Sequence, residues 1–210
     1  MSDSRTRGRF ITLEGGEGVG KSTQLRRLAV ALRARGVDVV ETREPGGSPG
    51  AEAIRTLLLE GDAERWTPEA EALLFAAARA DHVARTIKPA LVHGAWVLCD
   101  RCLDSSIAYQ GAAGSVGEAA IRTLHAIGSH GFLPDRTLLL ELPADLTSKR
   151  LGLRGGADRM EAKGDSYHQR VVAAFAAVAE AEPERYRRID AGGGADEVTE
   201  RLLSAVEDLL

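Results

Sequence analysis

Cysteine is scarce in this chain, since only two of its 210 residues are cysteines. Two thiols cannot build a disulfide framework, so a reducing compartment such as the cytoplasm is expected. Long apolar runs are also missing: no stretch approaches the roughly 18 apolar residues that span a membrane. The first ten residues, MSDSRTRGRF, carry charges with no apolar stretch behind them, so no secretory signal is expected there.

Positive charge is not in excess either, because 27 lysines and arginines face 31 aspartates and glutamates, for a net charge of −4. A nucleic-acid partner is therefore not expected, since such a footprint needs a basic face. The chain has no Asn-Lys-x-Asp segment, which a guanine-reading GTPase would need. Its five histidines are scattered, and Cys99 and Cys102 begin inside an apolar run rather than opening a helix. Neither a zinc site nor a redox pair is expected.

What the sequence does contain is a regular alternation of short apolar runs and amphipathic stretches. Strands are expected over residues 9–14, 95–101, 135–142 and 186–191, with a further strand that runs into a turn over 37–47. Helices are expected over 21–35, 68–87, 167–181 and 195–209. Pro89 should end the second of these helices. The order predicts an α/β fold, with a mainly parallel, doubly wound sheet of about five strands and helices on both faces.

The length indicates a single domain over residues 1–210. Within it, the polar, glycine-rich segment 148–166 is predicted to be a small mobile lid, and residues 1–8 are expected to be disordered. Ligands of such sheets bind beyond the carboxyl ends of the strands. The residues that fall at or just past those predicted ends are Gly15, Glu44, Asp100 and Asp190.

The clearest motif is GGEGVGKST, residues 15–23, which follows a predicted strand and opens a predicted helix. Its G-x-x-x-x-G-K-[ST] spacing is that of a loop whose backbone N–H groups surround phosphate oxygens. Lys21 should reach the β and γ phosphates of ATP, and Ser22 should bind Mg²⁺. ATP contacts are expected from the whole loop: Gly15, Gly16, Glu17, Gly18, Val19, Gly20, Lys21, Ser22 and Thr23.

Two further features favour a kinase of small molecules over other P-loop proteins. Asp100 ends the run WVLCD and can hold Mg²⁺ directly or through water, while Arg101 beside it can face phosphate. Arg150, Arg154 and Arg159 lie in the predicted lid. Closure of that lid would bring a guanidinium to the transferring phosphate and exclude water.

The segments LEGGEGVGKST, TREPGG, LLFAAARADH, IKPAL, DRCLDSSIAYQG and LPDRTLLLELP, in that order, resemble the bacterial type of thymidylate kinase. The resemblance runs from about residue 9 to 210, and TREPGG followed by DR…S…AYQG is its most specific part. It implies a P-loop kinase fold and transfer of the γ-phosphoryl group of ATP to thymidine 5′-monophosphate (dTMP), with Mg²⁺, for dTTP and DNA synthesis. A cytoplasmic homodimer is also implied.

The resemblance further implies roles for single residues. Phe75, which alone would be read as core, would stack on thymine, and Arg79 would donate to thymine O4. Tyr109 would stand by the sugar and crowd a 2′-hydroxyl, and Glu17 would accept from the 3′-hydroxyl. The residues expected to contact dTMP are Glu17, Arg43, Glu44, Pro45, Phe75, Arg79, Arg101, Ser105, Ser106, Tyr109 and Gln110. Those expected to act in catalysis are Lys21, Arg101, Arg154 and Arg159.

The sequence departs from the family pattern at three positions. Gly18 stands where some relatives carry a catalytic arginine, so the missing charge is expected from the lid, with Arg154 the better match and Arg159 the second. Cys102 replaces the usual aromatic residue or histidine, and Ala78 replaces an acid found in some relatives. Two alternatives stay open: a kinase for another monophosphate, such as uridylate or cytidylate, and a P-loop regulator that binds ATP and signals by shape.

Overall fold

The structure is a computed structural model that describes residues 7–62, 64–143, 146–147, 159–160 and 163–210. The strands are β1 (Phe10–Glu14), β2 (Val39–Arg43), β3 (Trp96–Asp100), β4 (Arg136–Glu141) and β5 (Tyr186–Asp190). The α-helices are α1 (Lys21–Ala34), α2 (Pro49–Leu59), α3 (Pro68–His82), α4 (Lys88–Val92), α5 (Leu103–Ser106), α6 (Glu118–Ser129), α7 (Asp165–Ala181) and α8 (Ala195–Ser204). π-Helical turns cover Val83–Ile87 and Ile107–Ala113, and a 3₁₀ turn covers Glu207–Leu209.

Within the described residues, the strands form a five-stranded parallel sheet in the order β2-β3-β1-β4-β5. β1 lies in the middle, where Ile11 pairs with Leu98 of β3 on one side and with Arg136 of β4 on the other. The connections from β1 therefore turn first to one edge of the sheet and later to the other. This reversal opens a crevice at the carboxyl ends of β1 and β3, and the predicted parallel α/β fold is confirmed.

Alternation along the strands divides the core into two layers. Ile11 belongs to a buried cluster with Leu28 of α1 and Leu202 of α8. Phe10, the preceding residue, belongs to a second cluster with Phe175 of α7. Burying a side chain of this size contributes about 1.5–3 kcal/mol relative to leaving it exposed. Helices therefore cover both faces of the sheet, and its carboxyl edge is left for the loops.

One predicted helix boundary is wrong, because Pro89 does not end the helix that precedes it. α3 ends at His82, the π-helical turn follows, and α4 continues through the proline. A proline in a helix lacks the N–H that would reach four residues back, and its ring crowds that carbonyl. The wide turn changes the bonding just before Pro89, since Lys88 donates to the carbonyl of Val83, five residues earlier. The backbone thereby passes the proline without breaking.

The start of the described chain is bonded to α4 and to the residue before β4. Gly8 donates its N–H to the carbonyl of Leu91 at 2.9 Å, and Arg7 pairs with Asp135 at 3.3 Å. Residues 1–6 and most of the predicted lid lie outside the described residues. Among the helices that the structure describes, none has the length and apolar character needed to cross a lipid bilayer.

Candidate active site

The loop between β1 and α1 turns tightly beside the sheet. Gly15 and Gly20 have φ angles of 135° and 100°, in the region that glycine adopts without strain. A Cβ on Gly15 would also lie only 2.4 Å from the carbonyl oxygen of Leu140. The loop leads into α1 at Lys21, so the positive end of that helix points at the loop.

The side chain of Lys21 is buried within this loop. Its Nζ donates to the carbonyl oxygens of Gly16 at 2.7 Å and Gly15 at 3.2 Å. Burial lowers the pKa of Lys21 to about 8, and the nearby charge of Arg101 acts in the same direction. The ammonium is thus held over the loop by two carbonyls that a phosphate can replace.

Ser22 and Asp100 meet at the mouth of the crevice. Asp100 ends β3 and pairs in register with Leu13 of β1, which brings it next to the loop. The Ser22 hydroxyl donates to Oδ2 of Asp100 at 2.5 Å. A hydroxyl beside a carboxylate provides the hard oxygen ligands that Mg²⁺ takes, so this pair fits the predicted metal.

A cavity of about 510 Å³ opens beside the loop at the carboxyl edge of the sheet. Its volume suits a small-molecule ligand. Lys21, Ser22 and Asp100 line one end of it. Every residue that the sequence analysis assigned to dTMP lines it too: Glu17, Arg43, Glu44, Pro45, Phe75, Arg79, Arg101, Ser105, Ser106, Tyr109 and Gln110. The phosphate loop and the predicted acceptor residues therefore share one space.

Arg101 organises the middle of the cavity. Its Nη2 donates to Oε1 of Glu17 at 2.5 Å, and its Nη1 donates to Oγ of Ser105 at 3.0 Å. The Tyr109 hydroxyl donates to the same Glu17 oxygen at 2.7 Å. Burial raises the pKa of the Glu17 carboxyl, but the charges of Arg101 and Lys21 outweigh it and bring the pKa to about 2. Glu17 is therefore ionised at neutral pH.

Glu14, at the end of β1, supports this arrangement and was not predicted from the sequence. Its two carboxyl oxygens accept from the Cys102 N–H at 2.7 Å and from Oγ of Ser105 at 2.6 Å. Burial, with the nearby Asp104 charge, raises the pKa of Glu14 to about 8. Arg101 adopts a left-handed backbone conformation, with a φ of 72°. Because Glu14 accepts from the N–H of Cys102, the next residue, it stabilises this turn. An acid at the end of a short buried strand was the available signal.

A second buried network lines the far end of the cavity. Arg79 donates from Nε to Oε2 of Glu44 at 2.7 Å, and from Nη2 to Oγ of Ser106 at 2.7 Å and the Cys102 carbonyl at 3.2 Å. Nδ1 of His82 lies 3.1 Å from the other Glu44 oxygen. Burial raises the pKa of Glu44, but the charge of Arg79 and the bond with His82 outweigh it, so the pKa lies below its ordinary value.

Glu44, His82 and Cys99 also bring potential metal ligands within 4.8 Å of one another. Glu44 is already engaged by the Arg79 guanidinium, whose charge would repel a bound cation. Burial raises the pKa of the Cys99 thiol well above its ordinary value, so the thiol stays protonated. We interpret this group as part of the buried hydrogen-bonded network around Glu44 rather than a metal centre.

Comparison with known proteins identifies the family. A family model described as Thymidylate kinase matches residues 13–202. A protein named thymidylate kinase from Rhizorhabdus wittichii is 65% identical over 97% of this chain and 99% of its own length. The chain belongs to the thymidylate kinase family. A protein of the same name from Caulobacter vibrioides is 52% identical over 96% of this chain and 97% of its own length. Another from Bradyrhizobium diazoefficiens is 48% identical over 100% of this chain and 96% of its own length.

The structure describes one of the three arginines in the predicted lid. Arg150 and Arg154 lie outside the described residues. Arg159 is described and buried, with Nε donating to the Leu58 carbonyl at 2.8 Å and Nη2 donating to Glu71. It contacts α2 and α3 rather than the phosphate loop in this arrangement. Its catalytic role stays a prediction.

Several residues line the cavity without having been assigned a role from the sequence: Arg26, Arg55, Leu59, Cys102 and Met160. Arg55 and Leu59 come from α2, a helix that the sequence analysis did not predict. Arg55 donates from Nη1 to the Pro45 carbonyl at 2.6 Å, which fixes the turn after β2. Arg43, predicted to contact dTMP, is half-exposed and pairs with Glu52 at 3.0 Å.

Proposed function

We propose that this chain transfers the γ-phosphoryl group of ATP to dTMP, giving ADP and thymidine 5′-diphosphate. The observation that carries the proposal is the single cavity that joins the phosphate loop to Phe75, Arg79 and Gln110. The near full-length likeness to proteins named thymidylate kinase supports it. Phosphoryl transfer depends on positioning two anions and on positive charge around them. A strong base is not required, because the acceptor phosphate is already ionised at neutral pH.

On the donor side, we assign the phosphates of ATP to the loop 15–23. Lys21 would exchange its two carbonyl partners for phosphate oxygens, and the backbone N–H groups would surround them. Ser22 and Asp100 would hold Mg²⁺, which is expected to neutralise charge on the donor phosphates. This assignment needs no large movement of the loop, because the lysine already lies over it.

On the acceptor side, the base would stack on Phe75, whose half-buried ring lines the cavity rather than the core. Arg79 would donate to thymine O4. Tyr109 would lie against the sugar, held by Glu17 and Arg101. Oε1 of Glu17 is used by those two side chains, so its Oε2 is the oxygen that would accept from the 3′-hydroxyl. Ser105 and Ser106, with the guanidinium of Arg101, complete the acceptor pocket.

We assign the catalytic lid charge first to Arg154. Gly18 adds no charge from the phosphate loop, so a lid arginine must supply it. Arg159 is buried against Glu71, and this pairing would have to break before Arg159 reached a phosphate. That favours Arg154 as the primary contributor and Arg159 as the second.

We also propose a homodimer in the cytoplasm. Leu73 of α3 and Ile127 of α6 are large apolar side chains exposed on two helices that pack together. Exposed apolar side chains on packed helices favour a contact with a second copy. Cys99 and Cys102 are unpaired and buried, which suits a reducing compartment. Sedimentation would measure the oligomeric state.

A coupled assay for ADP with ATP, Mg²⁺ and a panel of monophosphates tests the proposal. dTMP is expected to be the best acceptor, ahead of dUMP, dCMP and UMP. A preference for cytidylate or uridylate would overturn it in favour of another monophosphate kinase. ATP binding without turnover of any acceptor would overturn it in favour of a regulator.

A further inference from the structure

α3 carries an acidic side chain, that of Glu71, in line with Phe75 and Arg79. Glu71 lies one turn before Phe75 and two turns before Arg79, so the three residues share a face of the helix. The carboxyl of Glu71 is buried, which is costly for an acid unless it is paired. The assigned steps of the reaction do not use it.

The Glu71 carboxylate receives donors from three directions. Oε1 accepts from Nε2 of Gln110 at 3.0 Å and from Nζ of Lys163 at 3.2 Å, and Oε2 accepts from Nη2 of Arg159. Burial raises the pKa of the Glu71 carboxyl, but the bond from Gln110 and the charge of Lys163 outweigh it. The pKa therefore lies below its ordinary value, and an ionised carboxylate can only accept hydrogen bonds.

This pairing decides which way the Gln110 amide faces. A glutamine can turn either its nitrogen or its oxygen toward a neighbour, and the choice follows from the hydrogen bonds around it. Gln110 lines both the 510 Å³ cavity and a small cavity of about 60 Å³, and Glu71 lines only the small one. With Nε2 bound to Glu71, the carbonyl Oε1 is left for the large cavity, and no residue that the structure describes donates to it.

Arg79 presents a hydrogen-bond donor to the same cavity, opposite in kind to the acceptor of Gln110. Its Nε and Nη2 are used by Glu44, Ser106 and Cys102, while Nη1 has no hydrogen-bond partner among the described residues. The cavity therefore offers a donor and an acceptor to a base. Thymine and uracil carry the O4 acceptor beside the N3–H donor, whereas cytosine carries a 4-amino donor beside the N3 acceptor.

We infer that Glu71 is a positioning residue that sets base specificity, because it holds the Gln110 oxygen toward N3 of the base and so disfavours cytosine. The inference rests on the proposed function, since it needs the base to lie between Arg79 and Gln110. Glu71 itself touches no substrate. A monophosphate that lacks an N3–H would leave the Gln110 oxygen unpaired, and buried acceptors without donors weaken binding strongly.

Glu71→Gln tests the inference with dTMP, dUMP and dCMP as acceptors. The substituted amide would keep its oxygen on the buried Arg159, and its NH₂ would then face Gln110, which would turn its own nitrogen into the cavity. kcat/KM for dTMP should fall about tenfold, the worth of one net hydrogen bond. The dCMP to dTMP ratio of kcat/KM should rise by a similar factor, about tenfold. The dUMP to dTMP ratio should stay constant, because both bases carry N3–H.

Two controls separate this role from a general effect on folding. Glu69→Gln makes the same change at an exposed position of α3 and should leave all ratios unchanged. In a Gln110→Ala background, Glu71→Gln should change the dCMP to dTMP ratio less than about twofold, because the group it acts through is gone. If Glu71→Gln does not fold, Glu71→Asp keeps the charge but withdraws the carboxylate by one methylene, and it should raise the same ratio.

The outcomes distinguish the inference from the function on which it rests. A wild-type enzyme that does not use dTMP would overturn the proposed function. An active wild-type enzyme whose dCMP to dTMP ratio is unchanged by Glu71→Gln would overturn the role of Glu71 alone. Equal loss with all three acceptors would also overturn it, since a purely structural residue gives that result.

Discussion

Arg79→Met breaks the buried network at the far end of the cavity. Methionine resembles the apolar stem of arginine but removes its charge and three hydrogen bonds. Glu44, only 5% exposed, would keep His82 and the Cys102 thiol as partners but lose its cation. Removing one member of a buried ion pair costs about 3–5 kcal/mol. In a chain of this length, that lowers the melting temperature by roughly 6–20 °C.

Urea unfolding of matched variants measures this cost. Arg85→Met removes an exposed arginine from an ion pair with Asp81 and should cost less than about 1 kcal/mol. The double variant Glu44→Gln/Arg79→Met removes both buried charges, so it should lose less stability than the sum of its single variants. A loss below about 1 kcal/mol for Arg79→Met, or strict additivity in the double variant, would refute the reasoning.

Two other predictions concern the substrates. Because burial holds the pKa of Lys21 near 8, the free enzyme loses this charge as the pH rises, and kcat/KM for ATP should decline through about pH 8. Bound phosphates favour the charged lysine, so the decline of kcat should lie at higher pH than the decline of kcat/KM. A decline of both at the same pH would contradict this. Phe75→Ala should raise KM for dTMP at least about fivefold, the lower end of what base stacking contributes, and leave KM for ATP near normal. Val92→Ala, at an exposed site, is its control, and a change confined to ATP would contradict the assignment.

The parts that follow local rules could be predicted from the sequence. The glycine spacing of the phosphate loop and the short apolar run that predicts β1 are properties of a few consecutive residues. The strands end at Glu14, Arg43, Asp100 and Asp190, so Gly15, Glu44, Asp100 and Asp190 lie at or just past strand ends as predicted. Asp190 does not line the cavity. The order of the elements then brought those ends to one edge of the sheet.

The parts that depend on distant contacts could not be predicted. Residues 37–47 predict a strand that runs into a turn, and no helix is predicted directly after them, although Ser48 caps α2 and Pro49 opens it. Glu14 acts on a residue 88 positions away and Glu71 on one 39 positions away, so no local spacing shows their roles. The helix expected to stop at Pro89 continues because a wide turn before it is compatible with a missing N–H.

The ion pair between Glu17 and Arg101 affects which molecules can occupy the cavity. Because the guanidinium already has a carboxylate partner at 2.5 Å, it does not need a phosphate to balance its charge. An uncharged compound bearing a thymine ring could fill the base end and leave this pair intact, without isolating a cation from water. Under the proposed assignment of Phe75, Arg79 and Gln110 to the base, inhibitors can therefore be sought among thymine-bearing molecules that lack a phosphate.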